Sequence, residues 1–350
     1  MLTRRNVLAT AASLGFVAPV LARALAQEAD GRQQLTREMI QNAQWVSGIE
    51  LTEAEQEELV QSVNSLHDQL KQLNTVPLDP QWDDPAIDFQ VLGANDGKQR
   101  FDSKRNHDFR ESIASVRPES REDLAFLSVA ELSALIRNRM VSSRELTELY
   151  LNRLERFNPM LKCVVTLTRD HAMRAAERAD QEIQRGKYRG PLHGIPWGAK
   201  DLISVPGYPT TWGIPVFKER IFDRPATVYQ RLEDAGAVLV AKLSLGAIAM
   251  GDQWFEGMTR NPWNPRTGSS GSSAGSASAT SAGLVGFSLG SETLGSILSP
   301  SMRCGTFGLR PTFGRVSRHG CMPLSFTMDK IGPIAQHRRL GCRVWCHLRP

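Results

Sequence analysis

An α/β layered fold is what the stretch from residue 123 to 334 predicts, and three observations carry it. Helix-opening signals recur, short apolar runs of strand length follow them, and the two alternate along the chain. Ser128-Val129-Ala130-Glu131 and Ser142-Ser143-Arg144-Glu145 have the capping-box form, in which a serine and a glutamate satisfy free amides of a helix start. They open helices that reach about Asn138 and Phe157. Cys163 to Leu167 is a short β-branched run and reads as a strand. Ala172 to Arg185 reads as a helix capped near Asp170. A further helix ends before Gly236, and Ala237-Val238-Leu239-Val240-Ala241 follows it as a buried strand. Leu284-Val285-Gly286-Phe287 is a second apolar run that reads as buried.

The region before this core has another character. Met39 to Leu73 shows apolar residues at helical spacing among many Glu and Gln. It predicts one or two helices, with Thr52 and Glu55 as a capping box. Asn74 to Glu122 is rich in Pro, Asp, Arg and Lys and reads as a linker or wrapping segment. Residues 27–122 are thus expected to form a helical extension plus linker. At the start, Arg4-Arg5 precede an apolar stretch from Ala9 to Leu21 and then Ala24-Leu25-Ala26. That is a charged region, an apolar region and a small-residue cleavage site, similar to a twin-arginine export signal over residues 1–26. The expectation is an exported protein, periplasmic or extracellular, that engages the export machinery. The apolar stretch is shorter than the roughly 20 residues a membrane span needs, so no stable membrane insertion is expected.

Residues 335–350 carry four arginines, two cysteines and two histidines but no acid, without helical or strand periodicity. They are expected to be an out-of-frame or artefactual tail. Cys342, Cys346, His347 and His337 are of zinc-ligand type, but their spacing is not a standard zinc pattern, and no metal site is expected. Leader and tail also account for the formal charge of +5. Without their seven arginines, 35 basic residues face 37 acidic ones, so the basic balance does not point to nucleic acid. Cys163, Cys304 and Cys321 show no disulfide spacing and are expected to be free thiols.

The chemistry concentrates in three places. Gly194-Ile195-Pro196-Trp197-Gly198-Ala199-Lys200-Asp201 puts a lysine after an apolar run. Gly268-Ser269-Ser270-Gly271-Ser272-Ser273-Ala274-Gly275-Ser276 is a serine-dense loop, and Gly290-Ser291-Glu292-Thr293-Leu294-Gly295-Ser296-Ile297 is a second. A serine hydroxyl needs a neighbouring base to attack a carbonyl. None of the seven histidines falls in these loops. A lysine among apolar neighbours can serve, because burial disfavours its charged form. One serine can then relay a proton between lysine and nucleophile, while consecutive backbone N–H groups hold an oxyanion. Gly271-Ser272-Ser273-Ala274-Gly275 and Gly286-Phe287-Ser288-Leu289-Gly290 also fit the nucleophile-elbow pattern of α/β-hydrolases. After Ser288, however, too little chain remains for the acid, the histidine and the rest of that sheet. Ser296 alone could equally be a helix cap.

Together with Pro191-Leu192-His193-Gly194-Ile195-Pro196, Asn261-Pro262-Trp263-Asn264-Pro265, Arg310 to Ser317 and Asp329-Lys330-Ile331-Gly332-Pro333-Ile334, these blocks resemble the amidase signature family from about Ser128 to Ile334. The resemblance implies a mixed β-sheet core covered by helices on both faces, incomplete here at the C-terminus. It implies hydrolysis of a small-molecule carboxamide through a serine acyl-enzyme, with no cofactor or metal. By position it assigns the nucleophile to Ser296, the serine of a cis peptide to Ser272, the base to Lys200 and a supporting role to Ser273. The oxyanion hole would be the backbone N–H groups of Thr293, Leu294, Gly295 and Ser296. Glu292, Leu294 and Leu298 stand where aspartate, glycine and arginine are more usual. Leu294 is expected to narrow the freedom of the oxyanion loop. The alternative expectation is a truncated, catalytically inactive fragment, or an amidase fold kept as a binding protein. Neither the amide nor the oligomeric state can be read from the residues.

Overall fold

The computed structural model describes residues 34–47, 50–75 and 116–336. The expected leader, most of the expected linker, and residues 337–350 with the four zinc-type side chains lie outside the described residues. The chain divides into two compact units, residues 1–90 and 91–350.

In the first unit α1 (Arg37–Ser47) and α2 (Glu53–Asn74) span the stretch from Met39 to Leu73, where one or two helices are expected. Thr52 opens α2: its N–H donates to Glu55 Oε2 at 2.8 Å, and the Glu55 N–H donates back to Thr52 Oγ1 at 3.4 Å. Asn64 ties Leu35 to α2, accepting from its N–H at 2.6 Å and donating to its carbonyl at 2.9 Å.

The second unit begins with a 3₁₀ turn, Asp123–Phe126, followed by α3 (Val129–Arg137), α4 (Ser143–Leu161), β1 (Val164–Leu167), α5 (Arg169–Gln184), β2 (Pro196–Lys200), α6 (Thr227–Asp234) and β3 (Val238–Leu243). Two short hairpins follow: β4 (Gln253–Trp254) with β5 (Gly257–Met258), and β6 (Arg260–Asn261) with β7 (Asn264–Gly268). Then come α7 (Ala274–Ser281), β8 (Phe287–Glu292), α8 (Leu298–Cys304), β9 (Phe307–Gly308) and β10 (Lys330–Ala335). Six strands form one mixed sheet in the order β1-β3-β2-β8-β10-β9. The central three, β3, β2 and β8, are parallel, and β1, β10 and β9 join antiparallel. The fold is α/β, as the alternating pattern predicts.

Local chemistry explains most helix limits. Ser128 makes the full capping box with Glu131. Ser142 makes half of one: it accepts from the Glu145 N–H at 2.9 Å, but the Glu145 carboxylate turns outward to the Arg117 guanidinium. The second helix runs to Leu161, past the expected Phe157. It ends where Lys162 takes a left-handed conformation and Asn158 Oδ1 accepts from the Cys163 and Val164 N–H groups. The cap expected near Asp170 is absent. Thr168 occupies the N-cap and spends its hydroxyl on the Leu239 carbonyl at 2.7 Å, tying α5 to β3. Strand β10 continues through Ala335, which pairs with Phe287 and Phe307, one residue into the stretch expected to be tail.

Alternate residues of the strands sort into two apolar clusters, one on each face of the sheet. Trp197, Ala199, Leu239, Phe287 and Leu289 pack with α3 and α6. Val238, Val240 and Leu243 pack with α4, α5 and the end of α7. Trp197 and Phe287, on adjacent strands, stack with ring centroids 6.0 Å apart. Cys163, Cys304 and Cys321 are free thiols. Among the described residues no helix is long and apolar enough to cross a membrane.

Candidate active site

Strand β2 lies between two parallel neighbours and is buried along its whole length. With Trp197 and Ala199 facing one cluster, Gly198 and Lys200 face the other side, toward α7. Lys200 is therefore not a solvated strand end. It closes the strand at 0% exposure, at the carboxyl end of the parallel trio where open α/β sheets place their sites.

The serine-dense loop delivers its hydroxyls to that lysine. The peptide between Gly271 and Ser272 is cis. Gly271 has no alternative residue here, because a Cβ would sit 1.7 Å from the Gly251 carbonyl oxygen. Lys200 Nζ donates to Ser272 Oγ at 2.8 Å, Ser273 Oγ at 3.0 Å and Ser291 Oγ at 2.9 Å, and approaches the Ser291 carbonyl at 3.3 Å. Four acceptors surround an atom that, charged, has three N–H bonds and, neutral, has two and a lone pair. Burial pushes the amine well below the usual lysine range, while Glu292 and Asp329 draw it partly back. Ser273 is already committed. Its hydroxyl donates to the Ser291 carbonyl at 3.0 Å and accepts from the Ser291 N–H at 3.1 Å. That leaves Ser272 or Ser291, one at a time, able to donate into the single lone pair of a neutral amine.

The second loop is arranged differently from what its composition predicts. Gly290, Ser291 and Glu292 are strand, the last half of β8. Thr293 to Ser296 then bridge to α8. Ser296 does not cap that helix: the Ile297 and Leu298 N–H groups both donate to Glu292 Oε2, at 2.7 and 3.0 Å. Glu292 is fully buried, with Arg310 at 3.6 Å from its other oxygen. Leu294 needs no positive φ in this loop. It is largely exposed, and the positive φ of this turn, 81°, falls on Gly295. Thr293 is fixed at both ends, its hydroxyl donating to Asp329 Oδ1 at 2.6 Å and its carbonyl accepting from Lys330 Nζ at 3.0 Å. Ser296 is half-buried and joins the cluster through its backbone, its carbonyl accepting from the Ser273 N–H at 3.0 Å. Among the described residues no hydrogen bond links its hydroxyl to Ser272.

Beside the lysine stands a second buried pair that sequence reasoning missed. Lys242 Nζ lies 2.6 Å from Asp201 Oδ1, both fully buried, and donates to the Pro209 carbonyl and Thr210 Oγ1. Asp201 Oδ2 accepts from the Thr211 N–H and hydroxyl. Burial lowers the proton affinity of Lys242, and Asp201 opposes that. Asp201 follows Lys200 directly, so this pair anchors the chain at the point where the site lysine leaves the strand. Ser291 and Glu292 were likewise missed as participants, although the alternation of Phe287 and Leu289 is a strand signal that reaches them. Among the described residues no group of His, Cys, Asp and Glu could hold a metal ion.

Known proteins share this arrangement of sequence and fold. The Amidase family model matches residues 145–339. The putative amidase AmiD of Mycobacterium tuberculosis is 41% identical over 225 residues, which are 64% of this chain and 47% of that protein. A glutamyl-tRNA(Gln) amidotransferase subunit from Chloroflexus aurantiacus is 42% identical over 216 residues, 61% of this chain and 44% of that protein. Among solved structures, the native peptide amidase from Stenotrophomonas maltophilia superposes with a TM-score of 0.61 at 36% identity, covering 64% of this chain and 48% of that one. The chain thus spans about half the length of the curated relatives it matches. With more than half of its residues matched and the fold shared, the chain belongs to the amidase family.

Proposed function

We propose that the chain carries the acyl-transfer centre of an amide hydrolase, with Ser296 as nucleophile, Ser272 as proton relay and Lys200 as base. The observation that carries this reading is the fully buried Lys200 amine, 2.8 Å from Ser272 Oγ and depressed in proton affinity by burial. A neutral Lys200 accepts the proton of Ser272, Ser272 accepts that of Ser296, and the Ser296 oxygen bonds to the amide carbon. The carbonyl oxygen takes the negative charge, held by the N–H groups of Thr293, Leu294, Gly295 and Ser296. The proton returns through Ser272 to the leaving nitrogen, the C–N bond breaks, and water then releases the acid from Ser296. Ser273 holds Lys200 and β8 in register throughout. No step calls for a metal or cofactor. Export through the leader over residues 1–26 is part of the same proposal, motivated by Arg4-Arg5 and Ala24-Leu25-Ala26.

A shared acyl-enzyme has a kinetic signature. With hydroxylamine present, amides of one acid but different leaving amines should give hydroxamate and free acid in one constant ratio. A ratio that changes with the leaving amine, or no hydroxamate while acid accumulates, would mean water attacks the amide directly.

A further inference from the structure

We propose that the substrate of this site is a neutral amide with an apolar substituent, seated in the cavity beside Ser291 and Thr293. The proposal rests on the amide-hydrolase reading above and adds the class of amide. The cavity, about 270 Å³, opens next to the lysine–serine cluster, since Ser291 and Thr293 belong to its wall. Its apolar side is built by the buried Leu202, Met322 and Ile331, with Leu324 and Phe326 adding apolar surface that faces solvent.

The charged groups in the wall are engaged with the protein. Asp329 Oδ1 accepts from the Thr293 hydroxyl, and Oδ2 accepts from the Leu324 and Ser325 N–H groups at 2.7 and 2.8 Å. Arg318 donates to the Ser325 and Phe326 carbonyls, both at 3.0 Å, and lies 3.9 Å from Asp329. These two residues neutralise each other and fix the loop that carries Leu324 and Phe326. Cys321 is held as a neutral thiol, its pKa pushed up to about 12 by burial. Ser291 Oγ is bonded to Lys200, and His319 stands exposed at the rim. A substrate ammonium or carboxylate entering here would lose water and find its counter-charges already paired, which costs free energy. An alkyl or aryl group would lose only unfavourable contact with water. The polar end of the cavity then receives the carboxamide, next to the N–H groups of the loop from Thr293 to Ser296.

The test uses the full chain with Ser296→Ala, so that binding is read without turnover. Calorimetric affinities are compared for the straight-chain amides from propanamide to decanamide, and for glutamine and 6-aminohexanamide. The expected result is a gain of about fourfold per methylene until the cavity fills, and then a plateau. Glutamine and 6-aminohexanamide should bind at least tenfold more weakly than the neutral amide of similar length. The pair Leu324→Ser with Phe326→Ser should weaken octanamide more than propanamide. Affinity independent of chain length, charged amides binding as tightly as neutral ones, or no saturable binding of any amide would each overturn the proposal. Failure of the hydrolase reading would show separately, as absence of a fluorophosphonate adduct at Ser296 in the unsubstituted chain.

Discussion

Glu292 shows how one residue serves geometry and charge together. Its carboxylate accepts from the Ile297 and Leu298 N–H groups, at the N-cap and first residue of α8, and so shapes the loop that ends in Ser296. Its negative charge also raises the proton affinity of Lys200, as Asp329 does, against the larger opposing effect of burial. Arg310 lies 3.6 Å from the same carboxylate, and Lys330 is also within reach of its charge. A base works only when neutral, so acylation should rise with pH through the depressed pKa of Lys200. Removing a negative neighbour lets the amine lose its proton at lower pH. Glu292→Gln, which keeps an acceptor for the helix amides, should therefore move the rising limb of the acylation profile to lower pH. A limb unmoved or shifted upward would remove Glu292 from the electrostatics of the site. At this scale the sequence pointed to Lys200 and Ser272, which lie 2.8 Å apart in the fold. Ser291 as a further partner of Lys200 was not legible, because the two meet only once β2 and β8 lie side by side.

Elements whose signals are local were read well. The helix from Val129 to Arg137 needed only Ser128, Glu131 and the apolar period between them. The start of α5 was misread because Thr168 answers to a distant carbonyl on β3. The role of Asp201 at the end of β2 was the least legible, because its partner lies on another strand. In the fold, Asp201 meets Lys242 of β3, 41 positions later in the chain, in full burial. Breaking one side of such a pair leaves an uncompensated buried charge, which typically costs about 3–5 kcal/mol. Asp201→Ala should show a loss of that order in denaturant unfolding, and a larger loss than Asp201→Asn. A loss under about 1 kcal/mol, well below the range for a broken buried pair, would show that the pair does not hold the strand end.

Over the unit from residue 91 to 350, the parallel trio gathers groups from distant segments to one end of the sheet, and two buried thiols report on its integrity. Cys163 packs with β3 and α5 on one face, and Cys304 packs with Ile297 and Ile334 elsewhere in the core. Burial pushes both thiols up to about 12, so neither should react while the fold is intact. Modification mapped by mass spectrometry should reach both in one transition as denaturant rises, as expected of a cooperative unit. Labelling of Cys304 well before Cys163 would divide the unit in two. The α/β class was legible at this scale because helix and strand signals alternate. The strand order was not, since β10 reaches β8 across the whole Thr293 to Asp329 excursion. The central claim, that Ser296 attacks with help from Ser272 and Lys200, is tested most directly by mapping the adduct of a serine-directed fluorophosphonate. A single adduct on Ser296, formed about 10²–10⁴-fold more slowly in Lys200→Ala, is the predicted result. An adduct on Ser272, Ser273 or Ser288, or labelling as fast without the lysine, would contradict it.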